Sequence, residues 1–395
     1  MITNILIRLL HRLPIGWLQL NHNRTRLIAA VGGVTFANIL IFMQLGFMGA
    51  LFSTSVFTHK NLSTDLVLLP SNFLSLREAT SFPRRRIYQA ESHPAVVSAD
   101  PIYIGQVFWT DPVGGDTAQF RVLGVPPDSP DPIFLNKTIQ AELPKLKQPD
   151  KAILDIKTRQ LNPDITKAIL EKGSYDLELN NLQFHFVGTF TQGGSFGDDG
   201  SIIVSTDAFM RLFRNRQPGT PTLALIHLAP GSDAHKVARE INALLPEGDT
   251  IAMTKQQFID AEQNYQAQQT PIGFVFGFGV VMAFVVGLVI VYQVLTTDVQ
   301  DHLAEYATFK AIGYSQGFFR GIVFEEALSL AILGFVPGLV VSIFLYAFAS
   351  RATGLPIEMQ FGRPAFVFSL TLIMCVLSGL IATNRLAHAD PADLF

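Results

Sequence analysis

Asp298-Val-Gln-Asp-His-Leu-Ala-Glu-Tyr-Ala-Thr-Phe-Lys-Ala-Ile-Gly-Tyr-Ser-Gln-Gly317 is a polar island between two long apolar runs, residues 272–297 and 327–349. A stretch this short cannot form a domain, but it holds about three or four helical turns. Thr297 and Gln300 have capping-box spacing, and Gly313 stands where a helix would stop. Val299, Leu303, Tyr306, Ala307 and Lys310 follow the helical period, which leaves Asp301, Glu305, Thr308 and Phe309 to face something else. The expectation is a short helix over 298–317 lying at a membrane surface. A solvated turn that merely joins two spans is the alternative that composition leaves open.

The chain of 395 residues is 49% hydrophobic and only 15% charged, a balance that indicates a membrane class. Net charge is -3 and the basic residues form no tract beyond Arg84-Arg85-Arg86, so nucleic acid is not an expected partner. The single cysteine, Cys375, excludes an intrachain disulfide and a cysteine zinc cluster; it lies in an apolar run, where a small packed hydrophobe is the expected role. Four uncharged runs, 27–52, 272–297, 327–349 and 364–383, can each cross a hydrocarbon layer of roughly 30 Å, and the third span is taken as 318–349. A cleaved signal peptide competes for the first, but that run is long and no clear small-residue cleavage site follows it. Residues 1–26 hold Arg8, Arg12, Arg24 and Arg26 and no acid, which predicts cytoplasmic N- and C-termini. Within them, Ile2, Ile5, Leu6, Leu9, Leu10 and Leu13 form a helical stripe, ended by Pro14 and Gly16, with Trp17 as an interfacial anchor. An amphipathic helix on the inner leaflet and an ordinary packed helix fit that stripe equally.

Residues 53–270 have the texture of a soluble α+β domain, inserted between the first and second spans and therefore periplasmic. Strands are expected at 65–69, 102–104, 120–125, 182–187, 201–205 and 223–228, and helices at 84–91, 164–171 and 234–245. Proline punctuation at Pro126-Pro127, Pro130, Pro132 and at Pro218-Gly219-Thr-Pro221 suggests an α/β lobe, 65–125 with 222–268, carrying a β-rich insert, 126–219. Residues 350–363 form a short periplasmic loop, and 384–395 a cytoplasmic tail.

Few groups suggest chemistry. Gly193-Gly-Ser195-Phe-Gly197 matches the G-x-S-x-G pattern, but a strand-like run follows it where a nucleophile elbow needs a helix, so a flexible loop is the favoured reading. Asp198 and Asp199 lack the alternating carboxylates of an EF-type calcium loop, and the nine histidines show no ligand spacing. No metal, cofactor or catalytic residue is expected. G-x-x-x-x-G-K-[ST] is absent, so ATP, if used, is bound by another subunit. Gly273-x-x-x-Gly277 and Gly334-x-x-x-Gly338 allow close helix approach or are accidents of glycine-rich spans. Pro337 should bend the third span. Glu325 and Glu326, at that span's cytoplasmic mouth, are read as solvated carboxylates.

Glu305-Tyr-Ala-Thr-Phe-Lys-Ala-Ile-Gly313 resembles the loop between the second and third spans of FtsX/MacB-type ABC transporter permeases. The basic entry to the first span and the ending Asp390-Pro-Ala-Asp-Leu-Phe395 resemble that family too. Thr270-Pro-Ile-Gly-Phe-Val-Phe-Gly277, Val291-Tyr-Gln-Val-Leu-Thr-Thr-Asp-Val-Gln-Asp-His-Leu303 and Ala352-Thr-Gly-Leu-Pro356 are similar to DevC-type permeases of cyanobacteria. The resemblance implies that 298–317 is a coupling helix docking on a separate ABC ATPase, with Asp301, Glu305, Tyr306, Phe309, Lys310 and Gly313 as candidate coupling residues. It further implies a homodimer in a bacterial inner membrane, cyanobacterial by the DevC-type resemblance. Its partners would be a periplasmic membrane-fusion adaptor, a TolC-like outer-membrane duct and membrane lipids, and it would export a lipid-like cargo such as a glycolipid. An FtsX-like regulatory protein, passing ATPase-driven motion to a periplasmic partner, is the alternative.

Overall fold

The computed structural model describes residues 15–78, 80–111, 115–217, 219–246, 248–302, 305, 308 and 312–387. They form two compact units: a helical one within Met1–Gly49, Phe274–Ser350 and Ile357–Phe395, and a sheet-based one from Ala50–Gly273 with Arg351–Pro356.

The helical unit begins with α1 (Ile15–His22) and contains four helices long and apolar enough to cross a membrane: Arg24–Ser55, Pro271–Asp301, Gln316–Thr353 and Gly362–Ala387. They are called the first to fourth spans. Each outruns its apolar core; the second, of 31 residues, is roughly 46 Å long against a hydrocarbon layer of roughly 30 Å. Its helix therefore continues through Asp298–Asp301. Thr297 lies inside it, donating its hydroxyl to Gln293 O at 2.9 Å, so Thr297 caps no new helix. Inward-facing Val34, Val291, Leu295, Ile322, Leu330, Ala331 and Met374 make one core, in which Cys375 is also buried. Phe274, Val281, Phe344 and Phe348 face outward, as apolar residues do on a lipid-facing surface. Polar groups inside the bundle are paired sparingly: Thr371 Oγ1 donates to Asn38 Oδ1 at 2.6 Å, and Thr35 Oγ1 donates to Gly334 O at 3.1 Å.

The other unit is built on nine strands: β1 (Leu66–Pro70), β2 (Val96–Thr110), β3 (Thr117–Val125), β4 (Lys151–Asp155), β5 (Tyr175–Leu179), β6 (Leu182–Phe190), β7 (Gly200–Ser205), β8 (Leu223–Leu228) and β9 (Thr250–Thr254). Their order is β5-β6-β4-β7-β3-β2-β8-β1-β9. The β3–β7 and β4–β6 pairs are parallel, the rest antiparallel. The long β2 holds the sheet together, pairing with β8 over Val96–Ile102 and with β3 over Tyr103–Thr110. A two-residue turn with positive φ at Asn180 and Asn181 closes the β5–β6 hairpin, the geometry that matches strand twist.

Helices α2 (Phe57–Asn61), α3 (Arg85–Glu91), α4 (Lys137–Glu142), α5 (Pro163–Lys172), α6 (Thr206–Leu212), α7 (Ala234–Leu244) and α8 (Lys255–Gln268) complete this unit. Local signals set several ends. Asn162 caps α5 ahead of Pro163, with left-handed Gly173 after it, and Thr254 with Gln257 forms a capping box on α8. β1 and β7 are buried at every position, because the sheet is covered on both faces. One core joins Val67, Ile102, Leu123, Leu225 and Phe258 to Ile133, Ile139, Leu146, Ile153, Phe190 and Ile203. That core draws on both expected lobes, and β3 pairs directly with β7. The proline-rich stretch at 126–132 lies between β3 and α4.

Candidate functional site at the loop between the second and third spans

Among the described residues of the loop, Asp301, Glu305, Thr308 and Gly313 can be placed; Tyr306, Phe309 and Lys310 lie outside the described residues. Glu305 and Thr308 are exposed, and the Asp301 side chain is half-exposed. Gly313 has φ +104, a backbone conformation that a side chain would strain, and it terminates the helical residues ahead of the third span. Exposed Ile312 and Tyr314 flank it.

The loop's base is gripped from the other end of the unit's sequence. Arg26, at the entry to the first span, pairs with Asp301 and lies 3.6 Å from Asp298, whose side chain is 3% exposed. His302 approaches the same Asp298, its Nδ1 3.7 Å from the carboxylate and 2.9 Å from the carbonyl. From α1, Gln19 Nε2 donates to Glu305 Oε2 at 3.4 Å. An open groove of about 560 Å³ runs between α1 and the loop, lined by Ile15, Leu18, Gln19, His22 and Arg26 on one side and Asp298, Asp301, His302 and Glu305 on the other. The stretch thus presents Asp301 and Glu305 at the surface while tied to the first span and to α1.

Glu325 and Glu326 are buried, 7% and 0% exposed, and are not solvated mouth residues. The cause is α1: Trp17 N donates to Glu325 Oε1 at 3.4 Å, and a side chain on Gly16 would meet Ile322 O at 2.6 Å and Glu326 Cγ at 3.0 Å. The start of α1 lies against Glu325 and Glu326, a contact that pattern reading missed because the partners lie about 300 residues apart. Trp17 accordingly is 7% exposed and packs within the bundle rather than standing as an interfacial anchor.

The two glycine pairs differ. A Cβ on Gly334 would lie 2.5 Å from Val34 Cβ, and one on Gly338 would lie 2.9 Å from Asn38 Cβ, so the third span lies against the first along this edge. Gly277 has open space beside it, and Gly273 meets backbone at Gln266 and Ala267 in its own chain direction, not another span.

In the sheet unit, Ser195 is a turn former. Its Oγ accepts from Gly197 N and Asp198 N, each at 3.1 Å, and a strand follows where an elbow requires a helix. Asp198 pairs with Arg121, and Asp199 Oδ1 lies 3.3 Å from Arg159 Nε while Oδ2 accepts from Gln119 N at 2.9 Å. No cluster of three or more metal-ligating side chains occurs among the described residues. One buried pair stands out: His59 Nε2 lies 3.4 Å from Glu262 Oε2, and both side chains are almost wholly buried. Burial holds His59 below its usual value, against the pull of Glu262. Burial pushes Glu262 up, but bonds from His59, Gln266 and the Leu76 N–H outweigh it and leave the carboxyl below the ordinary range.

These features define a polytopic membrane chain with a sheet-based domain and a clamped acidic loop. Residues 277–391, which include that loop and most of the last three spans, match the family described as FtsX-like permease C-terminal. No curated protein matches the chain. Among solved structures, it is similar to the periplasmic region of MacB from Actinobacillus actinomycetemcomitans, at 10% identity over 52% of this chain and 95% of that one, with a TM-score of 0.34. It is also similar to the extracellular domain of the noncanonic ABC-type transporter YknZ from Gram-positive bacteria, at 11% identity over 48% and 99%, with a TM-score of 0.31.

Proposed function

We propose that this chain is the permease subunit of an ABC exporter, and that it has no ATP site of its own. The observation that carries the reading is that the FtsX-like segment, 277–391, contains the acidic loop gripped by Arg26. On this reading the loop at 298–317 is the cytoplasmic footing of a separate ATPase. Closure of the nucleotide-loaded ATPase dimer pushes on the loop, the spans move as levers, and the periplasmic domain changes shape to drive cargo onward. The bundle's largely apolar core suits a chain that transmits motion better than one that forms an aqueous channel. The finer reading is of the DevC type: a homodimer in a bacterial inner membrane, with a periplasmic adaptor and a TolC-like duct, exporting a lipid-like cargo.

The test is co-purification from detergent-solubilised membranes, comparing the native chain with Glu305→Lys. The native chain should bring down an ABC ATPase, an adaptor and an outer-membrane duct, and the reversal should lose the ATPase selectively. Recovery of a cell-wall hydrolase without adaptor or duct would replace export by regulation. Equal recovery of the ATPase by Glu305→Lys would remove the loop from the docking site.

A further inference from the structure

The loop from Gln192 to Asp199, between β6 and β7, was expected to be flexible; in the structure it is a densely bonded junction. The buried Asp155 carboxylate at the end of β4 accepts from Gln192 N at 3.0 Å and Gly193 N at 2.7 Å. Arg159 donates through Nη2 to Ser195 O and, at 2.9 Å, to Asp198 O. Glycine at 194 is required by this crowding: a Cβ there would lie 2.8 Å from Arg159 Nε and 2.7 Å from Asp199 O.

Segments next to the spans are tied to this junction, α2 and Arg351–Pro356 directly and α8 through α2. α2 follows the first span, and its Thr58 Oγ1 accepts from Arg121 Nη1 at 3.2 Å and from Gln192 Nε2 at 3.3 Å, while Arg121 also pairs with Asp198. α8 precedes the second span, and its Glu262 lies against His59 of α2. Arg351–Pro356 joins the third span to the fourth, and its Gly354, at φ +67, lies so close to Arg159 that a Cβ would sit 3.0 Å from Cγ. A junction formed only to close a β-turn needs none of these ties. Two arginines side by side, each bonded to the loop and each touching a different span-linked segment, do what a mechanical coupler requires.

We propose that the Gln192–Asp199 loop is the point at which motion of the spans enters the sheet domain, and that Arg159 and Arg121 are positioning residues for this transmission. Arg159 serves the segment between the third and fourth spans, and Arg121 serves α2. This rests on the permease reading above for its purpose, but its geometry can be tested separately.

The test is hydrogen–deuterium exchange on the full chain with its ATPase in lipid nanodiscs, with and without ATP and vanadate. In Arg159→Ala, amides of 193–199 and 351–356 should exchange about tenfold faster than in the native chain, while α2 and β1 are unchanged. In Arg121→Ala the loosening should move to α2 and spare 351–356. The nucleotide-dependent change at 193–199 should fall at least fivefold in Arg159→Ala, with the ATPase rate within twofold of native, and Arg159→Lys should restore part of it. Should Arg159→Ala not fold, Gly354→Val, which pushes on the same contact from the other side, should give the same pattern. Unchanged exchange at 351–356 in both variants, or a full nucleotide response in Arg159→Ala, would overturn the junction and leave the permease reading standing. A native complex that hydrolyses ATP with no response anywhere in the sheet domain would overturn both.

Discussion

Replacing Arg26 by alanine should destabilise the helical unit through one partner more than the other. Arg26 faces two carboxylates of different character: Asp298, whose side chain is 3% exposed, and Asp301, at 52%. The Asp301 pair is a surface interaction worth about 0–1 kcal/mol. Removing the partner of a buried carboxylate costs about 3–5 kcal/mol, but Arg26 itself is 24% exposed and water reaches the vacated site, so about 2–3 kcal/mol in all is expected. At roughly 2–4 °C per kcal/mol, the melting temperature in detergent should fall by about 4–12 °C. Asp298→Asn added to Arg26→Ala should recover about half of that loss, because the orphaned charge is gone, whereas Asp301→Asn should recover almost none. The assay is thermal unfolding of the four variants at fixed lipid and salt. Equal rescue by the two asparagines, or a native-like melting temperature in Arg26→Ala, would show that Asp298 is not held by this guanidinium and that the loop's base is not clamped as described.

Gly334→Leu should cost about 1–3 kcal/mol by overpacking against Val34, while Gly277→Ala should be neutral or stabilise by up to about 1 kcal/mol; thermal melts of the pair read the difference. The His59–Glu262 pair predicts acid sensitivity. Because folding lowers the His59 value, the unfolded chain binds more protons as pH falls from about 6.5, so stability should drop across that window by at most about 1.4 kcal/mol per pH unit, and Glu262 adds a further loss below about 4.5. His59→Gln should flatten the upper part of a melting-temperature profile between pH 5 and 7.5, and a slope unchanged by the substitution would contradict the assignment.

Much of this was legible in the residue pattern because it depends on local signals. Long uncharged runs gave the four span helices, and β-branched runs bounded by turn residues gave β1, β3, β6, β7 and β8. β4, β5 and β9 were missed, while β1, of the same length, was read from its unbroken run Leu66-Val-Leu-Leu69. α8 was missed although its signal was present, since Thr254 and Gln257 form a capping box. Period counting also could not see the long-range packing of the outer domain: a core shared by Val67, Ile153 and Phe258 is a property of pairing across the chain. The same limit explains Glu325 and Glu326. Carboxylates at a span mouth are usually solvated, and only the docking of α1 buries these two. At the candidate site, the polar stretch could be read from the residues, although Asp301 ends the second span's helix, whereas Arg26 and Gln19, which pair with Asp301 and Glu305, could not.

The account depends on the loop at 298–317 and the sheet domain facing opposite sides of one membrane. A chain carrying Cys375→Ala, with a new thiol introduced by Thr308→Cys or by Asp176→Cys, can be exposed to a membrane-impermeant maleimide in sealed right-side-out vesicles; both positions are exposed. Labelling of Asp176→Cys from outside, with Thr308→Cys reacting only after permeabilisation, is the predicted result. Thr308→Cys reacting from outside as fast as Asp176→Cys would contradict it.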